Sequence, residues 1–146
     1  MNLFRSIGTT LALAALAACS TTTVSETAGA NQTSLEGTNW RLVAADSGPL
    51  ASLEGARKVT MGFAEGRVFG HAGCNRYFGT YTADDGQLAL AHVGATKMYC
   101  EGEGSLVEQA FLPLLQNPLT LQRGAVLQLQ AADGTTLHFE PAPQPR

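Results

Sequence analysis

Three cysteines (Cys19, Cys74, Cys100) and three histidines (His71, His92, His138) carry most of the chemistry this 146-residue chain could perform. His71 and Cys74 lie three apart, and Met98 and Cys100 could come near them, which would make the donor set of a soft-metal site. The competing reading joins Cys74 to Cys100 beside a strand-end histidine, and that bond consumes both thiolates. Nucleophilic catalysis needs an activated Ser or Cys with a base in reach, but the chain has only three histidines and an oxidised Cys would be unavailable. Asp84 and Asp85 sit in a turn sequence, and Glu101 and Glu103 in a Gly-rich stretch, whereas paired acid–base work needs carboxylates facing across a cleft. No glycine loop has the spacing that cradles phosphate. The expectation is a non-enzymatic protein with no metal and no cofactor. A net charge of −3 and the absence of any Lys/Arg run remove the electrostatic footprint of a nucleic-acid binder.

The fate of the thiols depends on compartment, and the N-terminus speaks to that. Met1 to Ala18 reads as a secretory signal, with Arg5 as its positive region and Ile7 to Leu16 as its apolar core. That core is about half of the ~20 residues a bilayer span requires. Leu16-Ala17-Ala18-Cys19 resembles the lipobox of bacterial lipoproteins, which implies that Cys19 is lipidated and begins the mature chain. The alternative is an ordinary leader cut after Ala-x-Ala, with Cys19 an incidental thiol. Residues 20–34 are mostly Ser, Thr, Ala, Asn and Gln, too poor in apolar surface to offset ordering entropy, so 19–34 reads as a lipidated Cys with a flexible tether. By the same resemblance Ser20 favours outer-membrane sorting, where Asp would favour the inner membrane. Loss of Arg5 takes the charge from −3 to −4, so acyl chains rather than Coulomb attraction must hold the protein to an anionic membrane; several chains bind durably where one does not. In that oxidising compartment Cys74 and Cys100 are expected to pair, closing a loop worth roughly 3–4 kcal/mol in the chain-entropy model.

The elements that must position these residues are mostly short strands. Alternation over Asn39–Ala44 puts Trp40, Leu42 and Ala44 on one face, and Lys58–Phe63 does the same with Val59, Met61 and Phe63. Glu65-Gly66 turns the chain into Arg67–His71, where Gly70 breaks the alternation. Phe78–Ala83 and Gln87–Ala91 flank the hairpin signal Asp84-Asp85-Gly86. Val126–Ala131 faces Leu127, Leu129 and Ala131 inward, and Asp133-Gly134 leads to Thr135, Leu137 and Phe139. A single segment has helical period: Ser105 and Glu108 form a capping box, and Leu106, Val107, Ala110, Phe111, Leu114 and Leu115 share a face. Pro113 should kink its last turn and Asn117-Pro118 end it. The fold class is mainly β (α+β), a small antiparallel sheet or partly open barrel of about eight strands with the amphipathic helix packed on it.

Leu35-Glu36-Gly37-Thr38-Asn39-Trp40-Arg41-Leu42, Gly70-His71-Ala72-Gly73-Cys74-Asn75 and Thr96-Lys97-Met98-Tyr99-Cys100, in that order, resemble the META domain of HslJ-like heat-shock lipoproteins. The helix after the second Cys and the hairpin from Gly124 to Phe139 follow in the family's order. The resemblance implies a β-rich, barrel-like unit with paired cysteines and an envelope role in stress or antibiotic tolerance. It brings no catalytic residue with it. The organisation is then a signal at 1–18, Cys19 and tether at 19–34, a META-like domain at 35–140 and a frayed Pro-rich tail at 141–146. A monomer facing the periplasm from the outer membrane is expected, binding or scaffolding an envelope protein. Asn75, Arg76 and Tyr77, polar and aromatic beside a rigid cross-link, are the candidate partner surface. Two other readings are an apolar-ligand carrier, with a cavity lined by residues such as Trp40, Phe63 and Leu129, and an inhibitor presenting Gly73–Tyr77 or Ala95–Gly104 to a periplasmic hydrolase.

Overall fold

The computed structural model describes residues 34–143, and the signal, Cys19 and most of the tether lie outside them. Eight strands follow one another as an antiparallel meander: β1 (Thr38–Ala45), β2 (Thr60–Ala64), β3 (Arg67–His71), β4 (Arg76–Asp84), β5 (Gln87–Ala95), β6 (Leu119–Arg123), β7 (Leu127–Gln130) and β8 (Thr136–Pro141). β1 pairs with both β2 and β8, so the sheet closes into a barrel where a partly open one was expected. Closure leaves the least edge for unwanted pairing. The seam is narrow at one place. β5 meets β6 only at Gln87–Thr120 and Leu88–Leu119, and the 3-10 turn Leu112–Gln116 packs on β5.

Turn chemistry sets the register. Glu65 and Gly66 between β2 and β3, and Asp85 and Gly86 between β4 and β5, all hold positive φ. That is the backbone a two-residue hairpin needs to match strand twist. The inward side chains then follow by alternation: Trp40 and Leu42, Met61 and Phe63, Leu127 and Leu129, Leu137 and Phe139 are all buried. Ala44 does not join them. A register shift between Leu42 and Ala44 turns it out to solvent. β6 carries the same signal, with Leu119 and Leu121 buried between exposed Thr120 and Gln122. Pro141 ends β8, and the Ala142 N–H donates to the Asn39 carbonyl (2.8 Å), so the barrel continues into the stretch expected to fray.

The helix α1 (Glu103–Phe111) has its N-cap at Gly102, three residues before the expected Ser105, and no side chain caps it. Ser105 instead accepts a hydrogen bond from Gln109 (3.1 Å). Val107, Phe111 and Leu115 are buried while Leu106 faces solvent. Pro113 tightens the chain into the 3-10 turn after α1, as expected of a ring that removes one helical donor.

Strand direction divides the barrel into two ends. The links β1–β2, β3–β4, β5–β6 and β7–β8 fall at one end, and with them come 3-10 turns at Pro49–Ala51 and Glu54–Lys58, α1 and the Cys74–Cys100 bond. The tight hairpins and the chain's entry at Ser34 fall at the other. At that entry the Glu36 carboxylate accepts from the Glu65 and Gly66 N–H groups and from the Tyr81 hydroxyl. These donors, Tyr81 foremost, hold the Glu36 carboxyl below its ordinary value. Burial, and then Glu36 itself, push the Tyr81 phenol up to about 12. Side chains fill the barrel axis: Trp40 (3% exposed), Phe63 (1%) and Leu129 (0%) belong to one continuous core, so they do not line the internal cavity that a carrier would need.

Candidate functional site

The helical end of the barrel is organised around Asn75. The link Ala72–Asn75 is a tight turn closed by the Ala72 N–H on the Asn75 carbonyl (2.8 Å). Gly73 is required in it, because φ is +105° and a Cβ would lie 2.6 Å from Val107 of α1. The turn buries Asn75 to 3% exposure, and a buried amide must find partners. Its Oδ1 accepts from the Met98 N–H (2.7 Å) and the Thr96 hydroxyl (2.9 Å). Its Nδ2 donates to the Met98 carbonyl (3.3 Å) and to Glu108 Oε1 (3.0 Å). The Asn75 N–H donates to the other Glu108 oxygen (2.6 Å). Glu108 therefore reaches away from its own helix and ties α1 to the β3–β4 turn, which is why the expected capping box does not form.

Cys74 and Cys100 are bonded, with Cα atoms 5.9 Å apart across 26 residues of sequence. The segment 96–100 is thus held twice, by Asn75 near its start and by the disulfide at its end. Between these clamps Met98 is 62% exposed and Tyr99 89%. Two large apolar side chains stand in solvent on backbone that is fixed beneath them.

Of the three residues expected at a partner surface, only Arg76 is on the surface. Asn75 is turned inward because its four polar contacts lie there. Tyr77 is 1% exposed, its ring edge-on to Phe111 (5.6 Å between centroids) and its hydroxyl donating to the Thr60 carbonyl (2.9 Å). Burial holds that phenol far above its usual range. Strand alternation explains the split, since Arg76 and Tyr77 must point to opposite faces.

The other chemistry-bearing residues do not converge. The disulfide leaves neither thiolate free as a metal ligand or nucleophile. His71 Nδ1 accepts the Gly73 N–H (3.2 Å), His138 meets Asp46 (2.7 Å) on β8's outer side, and His92 occupies an irregular point of β5 with φ +53°. Asp85 forms the β4–β5 turn after Asp84, Glu101 is exposed, and Glu103 accepts the Gly55 N–H (3.0 Å). Among the described residues, no group of three His, Cys, Asp or Glu side chains is placed to hold a metal. Sequence reasoning missed Glu108 as the partner of Asn75, and it offered Ala95–Gly104 as a presented loop without singling out Met98 and Tyr99 within it. The available signal was a pair of large side chains directly before a cysteine, outside any periodic run.

The family model for the META domain matches residues 33–144. The fold is similar to the solution structure of a protein from Burkholderia xenovorans, at 27% identity over 75% of this chain and 85% of that one, TM-score 0.60. It is also similar to the crystal structure of a DUF4847 family protein from Bacteroides vulgatus, at 18% identity over 76% and 96% of the two chains, TM-score 0.53. At that second identity the likeness is one of fold. No curated protein matches the chain.

Proposed function

The chain belongs to the META domain family, and from that premise we propose that it is a non-enzymatic binding module of the bacterial envelope. In this reading Cys19 is lipidated and anchors the protein to the periplasmic face of the outer membrane, where it serves a stress or antibiotic-tolerance role. The Met98–Tyr99 loop, with Arg76 beside it, engages an envelope protein. One observation carries the reading: these two side chains are among the most exposed apolar groups of the domain, on a segment fixed by both Asn75 and the Cys74–Cys100 bond. Rigid aromatic anchors on immobilised backbone lose little entropy on binding, and Tyr is enriched at interface hot spots. The topology supports the same reading. The loop lies at the barrel end opposite Ser34, so a chain tethered through its N-terminus presents Tyr99 away from the anchor. The protruding loop also suits the hydrolase-inhibitor reading, which differs only in the partner's identity.

In-cell photocrosslinking of the full chain tests it, with a photoreactive residue at Tyr99 and, as control, at Asp85 on the opposite end. One dominant adduct from position 99 and none from 85 is expected. The same diffuse pattern from both positions would overturn the proposal.

A further inference from the structure

A second feature lies on the outer wall of β1–β5 and shares only Arg76 with the loop reading. Cross-strand register aligns Asn39, Gly62, Phe69, Phe78 and Gly94 in one row across five strands. The two rings do not stand up from the sheet. A Cβ on Gly62 would come within 2.5 Å of the Phe69 ring, and one on Gly94 within 3.2 Å of Phe78, so each ring lies over a glycine. The result is a smooth apolar floor in which Phe78 is 46% exposed. The adjoining row is polar: Thr60, His71 and Arg76 are direct cross-strand neighbours. Together with Pro143 these residues, Gly94 excepted, line a groove of about 580 Å³, within the usual size of small-molecule sites.

The polar row offers donors. His71 Nδ1 accepts the Gly73 N–H, which leaves Nε2 as the protonated nitrogen of the neutral ring. Thr60 Oγ1 accepts the His71 N–H (3.1 Å) and keeps its own hydrogen to give. Arg76 contributes a guanidinium, and among the described residues no carboxylate lines the groove. Three donors beside a flat apolar floor describe a receptor for an amphiphile with a small anionic head. Arg76 is the one fixed cation among the described residues of the lining, which matches the single charge of a carboxylate better than a phosphate dianion, and its fork can hold both carboxylate oxygens.

We propose that this groove binds a long-chain carboxylate, the head on Arg76, His71 and Thr60 and the chain across Phe69 and Phe78. The site is on the barrel's outside and needs no internal cavity.

Titration of the purified full-length protein with dodecanoate, followed by amide NMR and calorimetry, tests it. Dodecanol and dodecyltrimethylammonium serve as neutral and cationic controls. Expected are amide shifts centred on Gly62, Phe69, Gly70 and Phe78, and dodecanoate binding at least about tenfold tighter than dodecanol, the scale of a charge-assisted hydrogen bond. Arg76→Gln, at an exposed position, should erase that preference with unchanged urea stability, and Phe78→Ser should weaken dodecanoate and dodecanol alike. Equal affinity for dodecanoate and dodecanol, shifts located elsewhere, or no binding would each overturn the proposal. So would shifts that follow protein concentration alone, which would make this wall a contact between copies. The Tyr99 crosslink is read on the wild-type chain and Phe78→Ser touches no residue of the loop surface, so the two proposals fail separately.

Discussion

Replacing Asn75 with alanine removes four side-chain hydrogen bonds to nitrogen and oxygen at once (to Met98 N and O, to Thr96 and to Glu108) and a weaker one to Cys74 Sγ. A neutral bond contributes about 1 kcal/mol net and one to a charged group about 1.5–3. Water can reach Thr96 and the exposed Met98, which lowers their share. Glu108 also keeps the backbone N–H of residue 75. The sum is about 3 kcal/mol, on the order of 15 °C in Tm at about 5 °C per kcal/mol for a domain of this size. Asn75→Asp makes the reasoning sharper. It keeps the shape and the two accepting contacts, but it sets a carboxylate against Glu108 where the amide now donates across 3.0 Å. At neutral pH it should cost as much as alanine or more. Adding Glu108→Gln should recover most of the loss, because the new amide can donate to the introduced carboxylate while its oxygen accepts the backbone N–H. Urea unfolding of wild type, both single variants and the double variant closes the cycle. An Asn75→Asp protein within about 1 kcal/mol of wild type, or no recovery in the double variant, would refute the assignment of Asn75 and Glu108 as a single clamp.

The double substitution Cys74→Ser and Cys100→Ser should lower stability by about 3.5 kcal/mol, from the closure entropy of this loop; equal urea midpoints for the variant and the oxidised wild type would contradict the structural role. Glu36 gives a pH dependence of known sign. Its folded pKa is depressed, so its contribution is present above the unfolded value and disappears as pH falls through the lower folded one. Glu36→Gln should therefore flatten the stability profile below about pH 5 and leave its shape at pH 7 unchanged, as thermal melts across pH 3–7 would read (an unaltered acid slope counts against the contact).

The strands are legible where one face is buried and the other wet, because alternation then leaves a trace in residue type. Trp40 with Leu42, Met61 with Phe63, and Leu127 with Leu129 all follow it. Ala44 misleads because a one-residue irregularity reverses every facing beyond it. β6 escapes notice because its five residues follow directly on Asn117-Pro118, which by themselves signal only the end of a helix. The site is less legible for a different reason. Ser105 and Glu108 meet every local requirement of a capping box, yet a partner 33 residues away offers Glu108 two donors, and the helix begins elsewhere. Local pattern cannot reveal a competitor that only the tertiary fold brings close.

The same limit explains the inversion at Asn75, Arg76 and Tyr77. The sequence marks this stretch as unusual, and it is; the mark belongs to the scaffold rather than to the surface. Asn75 meets the demands of its burial with the backbone of residue 98, the Thr96 hydroxyl and Glu108, and Tyr77 meets them with Thr60. What those contacts leave unsupported is the pair of side chains at positions 98 and 99, which touch solvent on backbone held by Asn75 and the disulfide. A loop secured only for stability could carry Ser or Gly there at no cost to its clamps, since Asn75 reads the Met98 backbone and the disulfide reads only Cys100. Exposed Met and Tyr add nothing to the core. Their presence on a doubly clamped segment is the feature that stability does not explain and that the proposed partner contact would.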